Sequence, residues 1–319
     1  MVTMFLDLAV GADGSMHIRA NLSDTYFTNR QDRYIVFAEN RAFADYCSHL
    51  VTHVGYKLSH TRPPSIVYEN DLMQQFQAPH PAATFTEPPV EPSVEAASPS
   101  ATAASAYIKV TPLLELPPLK LHQETELFDQ MLLDRWRHQC AHLYLCSGYL
   151  NLRRTLKAAL CKQSAGLTFL CAHPTANGFF RAKGLSRWIP DLYQQYSAQI
   201  KSFLPKSTVL EWQKKGWTFH GKGIWLYDLT SKPALVTIGS SNFNPRSTRR
   251  DLEFGVLMEM PATTSASASH DAAFAHLQES IDADRKAIFA DGTAYERPVL
   301  PFWQRITLDL LSRAARNFF

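Results

Sequence analysis

Apolar positions in this chain recur with two periods, and their order along the sequence predicts its architecture. Compact apolar runs at His142–Cys146 (HLYLC), Leu167–Cys171 (LTFLC) and Ala234–Ile238 read as strands. Trp217–Tyr227 reads as a further strand, joined to the last of these by a turn around Thr230–Pro233. Between them, Leu152–Leu160 reads as helix, and Trp188–Leu204 sets Ile189, Leu192, Tyr196, Ile200 and Phe203 at helical spacing. Gln304–Phe319 is an amphipathic helix with Ile306, Leu310, Ala314 and Phe318 on one face. Packing on the core is the expected use of that face, and a membrane surface is the alternative. Strands alternating with helices predict an α/β layered domain.

The pattern lapses at Ala78–Ala106, where Pro, Ala, Ser, Thr and Glu leave almost nothing to bury. Such a stretch cannot offset its ordering entropy and is expected to be a flexible linker or insertion. Pro261–Ser269 (PATTSASAS) reads as a surface loop on the same grounds. The expected organisation is therefore residues 1–77, a linker at 78–106, and a larger unit at 107–319.

Composition narrows the classes. With 319 residues, 45% hydrophobic residues and a net charge of +3, the chain is too apolar and too evenly charged to be disordered throughout. It has no uninterrupted apolar run of about 18 residues, so no transmembrane helix is expected. The small basic excess does not predict nucleic-acid binding. Five cysteines without CxxC spacing predict reduced thiols, and no His/Cys/Asp ligand cluster points to a metal. Met1–Leu8, carrying Asp7, reads neither as a secretory signal nor as an Arg-rich presequence.

Chemistry concentrates in Trp217–Asn242 (WTFHGKGIWLYDLTSKPALVTIGSSN). Strand alternation predicts that His220 and Lys222 project side by side, with Gly221 and Gly223 thinning the opposite face. The GSSN turn, Gly239–Asn242, offers hydroxyl, amide and backbone donors where a neighbouring strand would end. An imidazole, an ammonium and an Asn converging on one point suit a phosphodiester: the imidazole attacks phosphorus and the donors neutralise the developing charge. Glu253 is expected to hydrogen-bond the other ring nitrogen of His220 and fix its tautomer. A weak internal repeat accompanies this arrangement. Asn21–Val36 and Asn242–Leu257 each run from an Asn through an Arg-containing loop to an acid 11 residues on, Asp32 and Glu253, and then to an apolar strand.

HGKG, followed by GSSNFNPRS and RDLEF, resembles the HxK…GSxN motif of the phospholipase D superfamily. Several further blocks resemble one branch of it, the eukaryotic mitochondrial phosphatidylglycerophosphate synthases: ANLSDTYFTNRQDRY (Ala20–Tyr34), SGYLNL (Ser147–Leu152), NGFFRAKG (Asn177–Gly184) and GWTFHGKGIWLY (Gly216–Tyr227). The resemblance covers nearly the whole chain. It implies an α/β phospholipase D-like fold of two similar halves, each supplying one HxK motif to a shared site, with the first half truncated at its N-terminus here. It implies transfer of a phosphatidyl group from CDP-diacylglycerol to glycerol 3-phosphate, giving phosphatidylglycerophosphate and CMP through a phospho-histidine intermediate. One histidine would attack phosphorus and the other would act as acid and then base. No cofactor and no metal are implied; a peripheral membrane surface and association with the mitochondrial inner membrane are. By position, His220, Lys222, Asn242 and Glu253 are the catalytic candidates, while Asn21 and Asp32 belong to the tail of the first motif. Ser240, Arg246, Arg249 and Arg250, with Asn21 and Asp32, are candidates for binding substrate phosphate.

Two departures qualify the match. Tyr227 stands where the superfamily has an Asp, with Asp228 one residue later. Before Asn21 the chain reads MVTMFLDLAVGADGSMHIRAN, which contains no HxK. The expectation is that the first catalytic histidine lies upstream of Met1 and that this chain is a C-terminal portion of such an enzyme. The alternatives are a catalytically inactive relative that binds anionic phospholipid, a site shared between two copies, or another phospholipase D-type phosphodiesterase.

Overall fold

A computed structural model describes residues 4–5, 8–10, 16–18, 24–37, 41–50, 52, 108–130, 136–163, 165–260, 268–299 and 301–315. The expected linker at 78–106 lies outside them. Before residue 53 come β1 (Met4–Phe5), β2 (Leu8–Val10), β3 (Met16–Ile18), α1 (Asp24–Thr28), β4 (Arg30–Gln31), β5 (Ile35–Phe37) and α2 (Arg41–Leu50). After residue 107 follow β6 (Lys109–Leu116), β7 (Leu121–His122), α3 (Gln123–Gln130), β8 (Cys140–Cys146), α4 (Arg154–Cys161), β9 (Gly166–Ala172), α5 (Ile189–Phe203) and β10 (Thr208–Trp212). The chain continues through β11 (Thr218–Phe219), β12 (Gly223–Asp228), β13 (Pro233–Gly239), β14 (Leu252–Glu259), α6 (Ala268–Phe289), β15 (Gly292–Ala294) and α7 (Phe302–Ala315).

Among the described residues the main sheet runs β15-β10-β9-β8-β12-β13-β14-β6-β7, with β1 added in parallel beside the start of β14. Only β8, β9 and β10 run parallel to one another along this path; the other pairs are antiparallel. The apolar runs fix which side each residue takes. In β12, Ile224 and Leu226 join one core while Trp225 and Tyr227 join the other. β8 splits the same way, Leu143 and Leu145 against Tyr144 and Cys146. Both faces are therefore apolar, as expected of a sheet covered by helices on each side. One side packs on α4 through Leu156, Ala159 and Leu160 and on the end of α5 through Ile200. The other packs on α2, through Phe43, Cys47 and Leu50, and on α6, through Ile281 and Ile288. The segment before residue 53 thus contributes a helix to the same core as the later strands.

The strands expected at 142–146, 167–171 and 234–238 are present, each extended by one or more residues. The C-terminal helix packs on α5, where Tyr196 Oη donates to Ser312 O (3.4 Å) and Leu308 is buried, but the face expected to pack is turned outward, since Ile306 and Leu310 are exposed. The expected loop at 261–269 needs correction at its end. Ala268 and Ser269 already belong to α6, whose Phe274, Leu277, Ile281 and Ile288 recur at helical spacing among alanines and polar residues. Residues 261–267 lie outside the described set.

Candidate active site

His220 does not sit on a continuous strand as the alternation predicted. β11 pairs in parallel with β4 for two residues, Thr218 with Arg30 and Phe219 with Gln31, in a small sheet of its own. The chain then crosses to the main sheet and resumes at Gly223. His220–Lys222 forms the crossing, anchored where His220 N donates to Gln31 O (2.8 Å). A glycine is required at its end: a Cβ on Gly223 would collide with the Arg33 guanidinium and stand 2.6 Å from Thr237 O. His220 and Lys222 still project together, with the Lys222 Nζ 2.8 Å from Nδ1 and 3.1 Å from Nε2 of the ring.

The parallel pairing brings Asp32 to His220, and this overturns the expected role of Glu253. His220 Nδ1 donates to Asp32 Oδ2 (2.8 Å), which leaves Nε2 as the lone-pair nitrogen. Tyr26 stands edge-on to the ring, its hydroxyl 3.3 Å from Nδ1. Burial and the adjacent Lys222 ammonium lower the pKa of His220, and the pull of Asp32 in the other direction does not reverse this. The imidazole is neutral at pH 7 as a result. Burial raises Asp32, but Lys222 and the His220 hydrogen bond outweigh it and hold the carboxylate below its ordinary value. The outcome is a charged acid and an ammonium, each in contact with the neutral imidazole.

Glu253 is buried at the start of β14, and its partners are hydroxyls. Ser240 Oγ donates to Oε2 (2.5 Å) and Ser247 Oγ donates to Oε1 (2.7 Å). Burial, offset in part by the two serines, pushes its pKa up to about 7. The GSSN turn is placed by the close approach of two strands: a Cβ at Gly239 would lie 2.6 Å from Gly255 Cα. Asn242 then accepts from Ser147 Oγ at its backbone oxygen (3.2 Å) and at Oδ1 (3.3 Å). Its side-chain NH₂ remains as a donor for an anion. Behind the turn, Ser241 Oγ donates to buried Glu124 Oε1 (2.8 Å), and Arg153 N donates to Phe243 O (2.9 Å).

These groups surround a cavity of about 420 Å³. Its lining includes His220, Lys222, Asn242, Ser240, Glu253, Asp32 and Arg246 of the sequence candidates. Arg246 is ion-paired with Asp251 (2.9 Å). Arg249 and Arg250 are exposed on the turn and lie outside the lining. Asn21 falls outside the described residues. Asp32, expected beside substrate phosphate, is engaged by the imidazole instead. Sequence reasoning assigned no role to Tyr26, Arg30, Tyr149 or Asn177, all of which line the cavity. Arg30 lies over the Tyr26 ring (4.5 Å to its centroid), and its Nε donates to Thr218 Oγ1 (3.0 Å). All four occur in sequence blocks already singled out, so a signal existed without a role attached. Among the described residues no cluster of three or more His, Cys, Asp or Glu side chains is placed to hold a metal. Lone-pair nitrogen, ammonium, amide and guanidinium groups lining one cavity suit attack on a phosphate ester.

Comparison with known proteins finds this fold in a solved structure. The chain superposes on the crystal structure of phosphatidylserine synthase from Haemophilus influenzae Rd KW20 with a TM-score of 0.67 at 18% identity, covering 99% of this chain and 71% of that one. Its curated sequence relatives are named mitochondrial CDP-diacylglycerol–glycerol-3-phosphate 3-phosphatidyltransferase. The Homo sapiens protein is 32% identical over 270 residues (73% of this chain, 48% of the human one), and the Bos taurus protein 28% over 338 residues (94% and 58%). The Schizosaccharomyces pombe relative, named CDP-diacylglycerol–glycerol-3-phosphate 3-phosphatidyltransferase, is 30% identical over 301 residues (76% and 59%). The chain therefore spans about half the length of the curated relatives it matches. No protein-family model matches it.

Proposed function

We propose that this chain carries half of a phosphatidyltransferase site that moves a phosphatidyl group from CDP-diacylglycerol to glycerol 3-phosphate. The observation that carries this reading is His220, with Nδ1 tied to Asp32 and a neutral Nε2 in a cavity lined by cations. The named activity of the sequence relatives supplies the substrates. His220 Nε2 is the reacting nitrogen, as phosphorus nucleophile or as proton carrier for the leaving and attacking oxygens. Lys222, the Asn242 amide and Arg246 balance charge on the phosphoryl oxygens.

The repeat gives Glu253 a part as well. Asp32 and Glu253 are equivalent positions, and Asp32 orients a histidine of the other half. Glu253, buried beside the cavity, then orients the histidine that completes the site from the first half. The reaction is placed in the mitochondrion, after relatives named mitochondrial, and at a membrane surface because its donor is a diacyl lipid, with the protein bound peripherally. No described helix is long and apolar enough to cross a membrane.

A second reading is favoured by one observation: among the described residues, His220 is the sole histidine lining the cavity. A site with one histidine would bind the donor without turning it over. CMP release from CDP-diacylglycerol and glycerol 3-phosphate, measured on a protein that also carries the first half, decides between the two. Turnover lost in His220→Ala supports transfer; saturable donor binding with no CMP release supports the second reading. CMP release unaffected by His220→Ala would sink both.

A further inference from the structure

One border of the cavity is a turn that the site chemistry does not use. Asn177–Trp188 (NGFFRAKGLSRW) sets two adjacent phenyl rings among three cations, Arg181, Lys183 and Arg187, with no acid. Gly178 and Phe179 line the cavity, while Phe179 and Phe180 are 42% and 43% exposed. The backbone holds the rings there. Phe179 N donates to buried Asn177 Oδ1 (2.8 Å), Phe180 N to Asn177 O (3.0 Å) and Ala182 N to Phe179 O (3.0 Å). Arg181 takes a left-handed conformation (φ 62°), and its guanidinium lies 5.1 Å from the Phe180 ring centroid. On another part of the lining, the segment that supplies Tyr26 exposes Phe27.

Adjacent phenyl rings left partly exposed beside the cavity offer apolar area that a partner can bury. The neighbouring cations identify its chemistry. A free anion has no use for the rings, and an apolar protein patch has no use for three exposed cations. A bilayer bearing anionic headgroups uses both, the rings at the acyl boundary and the cations at phosphate level. Continuity with the cavity argues the same way, since a diacyl donor must present its headgroup to His220 while its chains remain in lipid.

We propose that Asn177–Trp188 docks the mouth of the cavity onto an anionic bilayer surface; the proposal rests on the phosphatidyl-transfer reading for its orientation. The competing surface is α7, which exposes Phe302, Trp303 and Leu310 but lines no part of the cavity.

The test is co-sedimentation of the full chain with vesicles of phosphatidylcholine, alone or mixed with phosphatidylglycerol. Phe179→Ser/Phe180→Ser is expected to weaken partitioning onto mixed vesicles by about tenfold or more. Arg181→Glu/Lys183→Glu is expected to do so on mixed vesicles and to leave the weak binding to phosphatidylcholine unchanged. Phe302→Ser/Trp303→Ser is expected to bind like the parent chain. Unchanged melting temperatures exclude unfolding as the cause. If the phenyl variant does not fold, the charge reversal at two exposed positions decides the matter alone. Loop variants that bind like the parent chain overturn the proposal, as does binding lost through the α7 variant with both loop variants intact. Sedimentation is read without turnover: loop-independent binding sinks this proposal whatever the CMP assay gives, whereas loop-dependent binding with CMP release unaffected by His220→Ala sinks the transfer reading alone.

Discussion

Replacing Arg33 by Met tests whether the segment before residue 53 is welded to the main sheet. The Arg33 side chain is 5% exposed and joins the His220–Lys222 crossing, β12, β13 and α6. Nη1 donates to Lys222 O (3.0 Å) and Thr237 O (2.6 Å), Nη2 and Nε reach Asp284 Oδ2 (2.7 and 3.2 Å), and the guanidinium lies 4.0 Å from the Trp225 ring centroid. Met keeps most of the stem volume and removes the fork. Two buried carbonyls lose a donor, at about 1–3 kcal/mol each, and the ring contact removes about another 1 kcal/mol. Asp284 is 39% exposed, so water takes over much of its solvation and its share is small. The sum is about 3–7 kcal/mol, at the upper end of single-residue effects. Urea unfolding of parent and Arg33→Met, with slopes compared as well as midpoints, measures it. Arg33→Lys should fall between, since an ammonium reaches one acceptor but cannot fork. A loss below about 1 kcal/mol for Arg33→Met would refute the idea that this residue couples the two segments.

Further outcomes are expected around the site. Asp32→Asn removes the group that raises the pKa of His220, so the imidazole should titrate at lower pH than in the parent chain; histidine Cε1–H NMR reads this, and an unchanged or higher value contradicts the pairing. Glu253 has a folded pKa of about 7, raised from 4.5, so folding stability should fall as pH rises between those values. Glu253→Gln should remove up to about 3 kcal/mol of that dependence, measured as the difference in unfolding free energy between pH 5 and pH 8 for parent and variant; identical pH dependence would disprove the shift. Gly223→Ala places a methyl group against Arg33 and Thr237 O, and should lower the melting temperature by several degrees; a melting temperature equal to that of the parent would count against the tight crossing.

The sequence disclosed some parts of this molecule and withheld others for identifiable reasons. β8, β9 and β13 are buried on both faces, so their apolar runs are dense enough to read directly. β6 was missed because Pro112 interrupts it; β7 pairs only with its last two residues, so the ring falls where no ladder bond is required from that side. α6 begins in an Ala/Ser-rich stretch with loop-like composition, and its four spaced apolar residues are diluted by alanine. His220, Lys222 and the GSSN turn were legible because their spacing is local. The partner of His220 was not. Asp32 and Glu253 follow their asparagines at the same distance, and nothing in that spacing says that β4 pairs with β11 and carries the first acid to the later histidine. Tyr26 and Arg30 reach the cavity by the same pairing and were missed for the same reason.

That pairing has a consequence for how related sequences can change. The histidine and its acid are 188 positions apart, and Gly223 faces Arg33 across a similar span, so these positions cannot drift independently. A lineage that gains a side chain at 223 must first shorten the residue at 33, and one that loses the acid at 32 must re-orient the imidazole by other means. Aligned homologues should therefore show paired changes at 32 with 220 and at 33 with 223, while the long Pro-, Ala- and Ser-rich stretch between them varies in length and composition without touching either pair.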